Sequence, residues 1–182
     1  METTAKAALL KHILFTEEDI QDKIDVLGEQ ITEDYKNKEL TIISLLNGAI
    51  IFTADLLRRI KIPLRLDCWS ISSYSGTKST GEIKFRQQII ADVNNRHVLI
   101  LDDILDSGLT LYTIKQQLLN QSSPLSVKTC VLLNKEVERK KDVECDYYGF
   151  KIQNEFVIGY GLDYNERYRN LPYIANLQNY EL

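Results

Sequence analysis

Residues Val98 to Thr110 constrain the fold more than any other stretch of this chain. Val98-Leu99-Ile100-Leu101 is an unbroken apolar run of strand length. Asp102 and Asp103 follow, and Asp106-Ser107-Gly108-Leu109-Thr110 then forms a turn leading into a helical pattern over Thr110–Leu119. A strand that is apolar at consecutive positions buries both faces, as strands of parallel sheets do. Leu40–Leu46, Leu64–Ser72 and Val127–Leu133 read as further strands. Between them lie helical stripes: Ile20, Ile24, Leu27, Ile31 and Tyr35 after the cap Thr16-Glu17-Glu18-Asp19, then Ala54, Leu57 and Ile60. This alternation predicts βαβ units and an α/β fold with a mostly parallel sheet. Ser73–Gly81 is a polar loop with two glycines, and Glu82–Ile90 reads as the hairpin partner of the strand before it. After Leu133 the helical period vanishes, and Tyr147–Phe150 and Phe156–Tyr160 are short aromatic-rich strands in an irregular C-terminal part.

No repeat or linker divides the 182 residues, so residues 1–182 are expected to form a single domain. The formal net charge of -4 argues against a general nucleic-acid binder. Three widely spaced cysteines, Cys68, Cys130 and Cys145, suit a reducing, cytoplasmic setting better than a disulfide framework or a zinc site. The most apolar stretch, Ile42–Phe52, is broken by Ser44, Asn47 and Gly48 and is too short to cross a bilayer, so no membrane role is expected. With only His12 and His97 available, a histidine metal cage is poorly supported, and both read as structural or surface residues. Trp69 reads as core or subunit interface, and Glu138-Arg139-Lys140-Lys141 as a solvated loop.

In open α/β sheets, ligands bind at the carboxyl ends of the strands, which is where Asp102 and Asp103 fall. Adjacent strand residues point to opposite faces, so the two acids are expected to serve different partners. Ionised carboxylates only accept hydrogen bonds, which suits sugar hydroxyls or a hydrated magnesium ion. Asp106 to Thr110 offers hydroxyls, a glycine and unpaired backbone N–H groups at a helix start, a cradle for phosphate. Together these imply a phosphorylated pentose. An acidic turn with an ordinary N-cap would look similar in part, but the complete thirteen-residue arrangement favours function.

Val98–Thr110 resembles the phosphoribosyl-pyrophosphate-binding motif of the type I phosphoribosyltransferases. Four further segments narrow the resemblance: Ser44-Leu45-Leu46-Asn47-Gly48, Ser73-Tyr74 with Ser79-Thr80-Gly81, Leu133-Asn134-Lys135, and the run from Phe156 to Pro172. They are similar to the 6-oxopurine branch, the hypoxanthine-guanine phosphoribosyltransferases in their short bacterial form. The resemblance implies a central, mostly parallel sheet flanked by helices, a β-hairpin lid over about residues 70–90, and a small hood formed with residues 147–182. It also implies transfer of a 5-phosphoribosyl group to N9 of hypoxanthine or guanine, with Mg2+ as cofactor and a homodimer or homotetramer as the assembly.

Residue by residue, the resemblance makes Asp106 the general base. It places Asp102 and Asp103 on ribose and metal, and Ser107, Gly108, Leu109 and Thr110 on the 5′-phosphate. Lys135, Phe156 and Val157 would meet the purine. Asp163, in the same purine-binding segment, would be a second metal ligand, and Arg169 would meet pyrophosphate. Leu46, Asn47 and Gly48 match a pyrophosphate loop often built around a non-proline cis peptide, and Ser73 and Tyr74 match the lid. Two positions depart from the pattern: Asp102 stands where the family usually has Glu, and Leu109 where it often has a polar or basic residue. Two other readings remain: a regulatory protein that keeps this fold as a sensor, and a transferase for xanthine or another base.

Overall fold

The computed structural model describes residues 10–72, 84–85 and 91–177. Its elements in chain order are β1 (Leu10–Phe15), α1 (Glu17–Asp34), β2 (Leu40–Leu46), α2 (Ile50–Arg59), β3 (Leu64–Ser72), β4 (Lys84–Phe85), β5 (His97–Leu105), α3 (Leu109–Gln121), β6 (Ser126–Lys135), β7 (Tyr147–Ile152), β8 (Val157–Ile158) and β9 (Ile174–Leu177). The main sheet runs β4-β3-β2-β5-β6-β7 and the small one β1-β9-β8. From β3 to β7 the strands are parallel. β4 returns antiparallel on β3 as the expected hairpin partner. Ser73, Tyr74 and the remainder of the expected lid up to Gly81 lie outside the described residues.

Alternation along the central strands divides the core in two. Ile42, Leu99, Leu101 and Leu132 face one side with α1 and α2, while Ile43, Val98, Ile100 and Val131 face the other with α3. This double burial is what the continuous apolar runs encode. α1 starts at a capping box: the Thr16 hydroxyl accepts from the Asp19 N–H at 3.2 Å, and the Asp19 carboxylate accepts from the Thr16 N–H at 2.9 Å. At Gly28 the helix comes so close to α2 that a Cβ would collide with Arg59.

Two expectations shift. α2 buries Phe52, Thr53 and Leu56, whereas Ala54 is exposed. Its inward face is set by a hydroxyl pair at 2.7 Å between Thr53 and Ser44 of β2, so Thr53 must point in despite its polarity. Of Phe156–Tyr160, only Val157 and Ile158 are strand, because Gly159, Tyr160 and Gly161 take φ values of 99°, 50° and 101°. β1 and β9 had no counterpart in the sequence reading. They pair with each other across the length of the chain, with two irregularities in register, and the Phe15 ring stacks on Phe150 of β7 at 3.9 Å.

The rim opposite the carboxyl ends is held by Arg96, which is 8% exposed. Its guanidinium donates to the Thr41 hydroxyl at 2.8 Å, to the Leu40 carbonyl at 3.0 Å and to the Glu39 carboxylate. His97, next in the chain, pairs through Nδ1 with the Ser126 hydroxyl at 2.8 Å, and burial lowers its pKa. Trp69 is 2% exposed, on the core side of its two expected roles. Arg96→Ala leaves a buried hydroxyl and a strand carbonyl short of a donor. It is expected to cost about 2–3 kcal/mol in urea unfolding.

Candidate active site

The site exists because β5 outruns one of its two neighbours. Its pairing with β2 ends at Ser44↔Leu101, whereas its pairing with β6 continues to Leu105↔Asn134. Beyond Leu101 the β2 chain turns off through a cis peptide between Leu46 and Asn47, the feature the resemblance implied. A cleft opens there, with a cavity of ≈ 240 Å³ between Leu46 and Gly48 on one side and Asp102 to Gly108 with Thr110 on the other; Asn47 and Leu109 are not among its lining residues. The strand therefore carries both acids within it and ends at Leu105, four residues later than the apolar run suggested.

Asp102 and Asp103 were expected to face different partners. Both line this cavity, together with Ile104 and Leu105 after them. Each carboxylate folds back along the strand onto the next backbone N–H: Asp103 N–H donates to Asp102 at 3.0 Å, and Ile104 N–H to Asp103 at 2.9 Å. Burial pushes both carboxyls above their ordinary value. Asp102 goes furthest, because the charge of Asp103 lies beside it. The other carboxylates of the site have cations, but no salt bridge among the described residues reaches these two. A Cβ on Gly48 would collide with the Asp103 carboxylate, and one on Gly161 would collide with the Gly48 carbonyl. Three backbone segments thus meet at van der Waals distance, and side chains at either glycine would separate them.

Past Leu105, the turn Asp106-Ser107-Gly108 enters α3, with Gly108 at the N-cap and φ at 76°. That conformation favours glycine. Gly108 itself supplies no side-chain cap, and the first N–H of the helix, that of Leu109, reaches the Ser107 hydroxyl at 3.5 Å; a helix start of this kind suits an anion. Lys135, the last residue of β6, has its side chain 11% exposed, and its Nζ lies 2.9 Å from Asp106 Oδ2. Nothing in the spacing of the two residues, 29 apart, announced this pair.

The C-terminal segment approaches the same loop at Gly161, but Phe156, Val157, Asp163 and Arg169 are not among the residues that line the cavity. Phe156 is half-buried and meets Tyr164 edge-on at 5.7 Å, while Val157 is buried and laddered to Asn176. Asp163 and Arg169 hold each other at 2.7 Å. The Asp163 carboxylate also accepts from the Glu166 N–H at 2.8 Å, and Arg169 donates to the Gly161 carbonyl at 2.7 Å. Sequence reasoning passed over Tyr160, whose hydroxyl donates to Asp55 of α2 and fastens this segment to the main body. Its flanking glycines were the available signal.

Because the Asp102 pKa is raised on folding, the unfolded chain releases that proton first as pH rises. Stability therefore falls between the ordinary value of 3.8 and the raised one, and the loss persists above it. Asp102→Asn is expected to raise the melting temperature at pH 7, with the gain shrinking as the pH approaches 3.8; thermal melts across pH check this.

Residues 14–165 match the family model of the phosphoribosyl transferase domain. A hypoxanthine-guanine phosphoribosyltransferase of Staphylococcus epidermidis is 46% identical over 170 residues, covering 93% of this chain and 94% of the relative. A hypoxanthine phosphoribosyltransferase structure from Staphylococcus aureus superposes with a TM-score of 0.89 at 44% identity, covering 96% of this chain and 95% of that one. A hypoxanthine-guanine phosphoribosyltransferase structure from Bacillus anthracis does so with a TM-score of 0.87 at 39% identity, covering 94% and 99%. With an acid pair, a glycine-capped helix start and a lysine-held aspartate around one cavity, and with these relatives along nearly its whole length, the chain belongs to the phosphoribosyltransferase family, in its hypoxanthine-guanine branch.

Proposed function

We propose that the protein salvages purines by moving a 5-phosphoribosyl group from phosphoribosyl pyrophosphate to N9 of hypoxanthine or guanine, giving IMP or GMP and pyrophosphate. One observation carries this reading: Lys135 and Asp106 form an ion pair at the mouth of a phosphate cradle. A 6-oxopurine offers Lys135 an oxygen acceptor. As the ammonium turns to that oxygen, Asp106 is left to take the proton from N7, within reach of the hydrogen bond it must form. Adenine presents an amino group at the same place, which cannot accept from Lys135.

The other roles follow from position. The N–H groups at the start of α3, with Ser107, Gly108, Leu109 and Thr110, take the 5′-phosphate. Asp102 and Asp103 take the ribose hydroxyls. Leu46, Asn47 and Gly48 present backbone to the leaving pyrophosphate, and Arg169 supplies positive charge to it. Phe156 stacks on the purine, and Val157 offers its backbone to the base edge.

Magnesium fits this donor set. The described residues include no cluster of three or more metal-ligating side chains, but Mg2+ is usually held by one or two carboxylates together with substrate phosphates. Asp102 and Asp103 are two such carboxylates without a salt-bridge partner, and Asp163 is a third once Arg169 turns to pyrophosphate. The ion would offset charge on the pyrophosphate as it leaves. The reading extends to a single domain over residues 1–182, a cytoplasmic enzyme and a homodimer or homotetramer. No described helix is long and apolar enough to cross a membrane.

Purified protein with magnesium, the donor and a panel of adenine, hypoxanthine, guanine, xanthine and uracil is expected to convert hypoxanthine or guanine. Absence of turnover with both rejects the reading. Asp106→Asn is expected to lower kcat by about 10²–10⁴-fold while leaving nucleotide affinity near that of the wild type, as measured by equilibrium titration.

A further inference from the structure

The loop between β6 and β7 reads from sequence as a solvated charge run, and the Lys140 and Lys141 side chains are indeed exposed. Its backbone does something else. The N–H groups of Lys140 and Lys141 both donate to the Ser107 carbonyl, at 3.0 and 3.2 Å. In a planar trans peptide the C=O and the following N–H point in opposite directions. A Ser107 carbonyl held toward this loop therefore turns the Gly108 N–H away from it, to the cavity side of the turn. The Lys141 carbonyl also fills the space a Cβ on Gly108 would need. The loop thus fixes the orientation of one N–H of the phosphate cradle and dictates the residue that carries it.

Arg139 holds the loop in that shape. Its Nη2 donates to Asn134 Oδ1 at 2.7 Å, at the end of β6, and its Nη1 donates to the Val143 carbonyl at 2.9 Å, on the loop's far side. One side chain ties both ends of the segment together. Val143, 4% exposed, then packs into the α3 side of the core and touches the space beside Gly108. From these contacts we infer that Arg139 is a positioning residue for the 5′-phosphate, acting through the Ser107–Gly108 peptide without touching the ligand. The inference rests on the proposed phosphoribosyl transfer, since it assigns a 5′-phosphate to this cradle.

The effect belongs to one end of the substrate, because pyrophosphate is read by Leu46–Gly48 and Arg169 on other segments. Calorimetric titration of wild type and Arg139→Ala with GMP, and separately with pyrophosphate and magnesium, tests it. GMP affinity is expected to fall about tenfold in the variant, with pyrophosphate affinity unchanged. Asn134→Ala, which removes one of the two anchors, is expected to show a smaller loss with the same selectivity, and it carries the test if Arg139→Ala does not fold. Equal loss for both ligands, or loss for neither, overturns the role of Arg139 while wild-type GMP binding stands. Wild-type protein that binds no GMP overturns the functional reading and this inference with it.

Discussion

Everything at the site depends on a mismatch between two ladders. β5 is paired to β6 through Leu105 but to β2 only through Leu101. Inside the sheet, a residue at the position of Asp102 would be flanked on both sides and covered by helices, with no room for an unpaired charge. Once β2 bends away at Leu46, the same backbone is supported on one side and open on the other. Support keeps the acids in place, and the opening gives them a ligand to meet. The turn Asp106–Gly108 and the start of α3 inherit their position from this half-paired strand.

The acids of the site divide into two kinds. Asp106 and Asp163 have their own cations, Lys135 and Arg169, while Asp102 and Asp103 have backbone N–H groups and each other. Two adjacent carboxylates raised in pKa are a standing cost to the fold. Among the described residues no salt bridge reaches them, although the more distant charge of Arg169 acts on Asp103, and this is consistent with a positive charge that arrives with the substrate. The paired acids follow the opposite logic: Asp106 and Asp163 are each neutralised within the protein, by Lys135 and Arg169. A site arranged this way is balanced without ligand only where balance does not obstruct binding.

Sequence carried the local parts of this arrangement well. Strand, acid pair, turn and helix follow one another within thirteen residues, and the apolar run of β5 reports burial on both faces directly. What stayed illegible depends on distant partners. β1 is a short strand whose only ladder partner is β9, near the other end of the described chain, so neither has a local pattern strong enough to read. The inward face of α2 is set by Thr53 meeting Ser44, a polar contact that hydrophobic periodicity cannot detect. Alternation gives the direction in which Asp102 and Asp103 leave the strand, but not that each carboxylate accepts from the backbone N–H of the next residue. Lys140 and Lys141 looked solvated because their side chains are, while their backbone amides hold Ser107; Arg139 in the same run is half-buried on partners that composition does not report.

Polar ties between the C-terminal segment and α2 add to its packing against the sheet core. α2 begins immediately after the Leu46–Gly48 loop, so any shift of that helix moves the loop. Tyr160 donates to Asp55 in the middle of α2, Gln21 of α1 reaches the same carboxylate at 3.2 Å, and Gly161 lies against the Gly48 carbonyl. Arg169 in turn donates to the Gly161 carbonyl, so the arginine assigned to pyrophosphate is referenced to the loop assigned to it. Burial and the neighbouring Asp55 carboxylate push the Tyr160 hydroxyl well above its ordinary pKa. The phenol therefore stays protonated and keeps donating at any pH where the enzyme would work. A neutral donor on a buried carboxylate is a joint that pH does not loosen, which is what two halves of one site require if they must keep their spacing while the charged groups between them change partners.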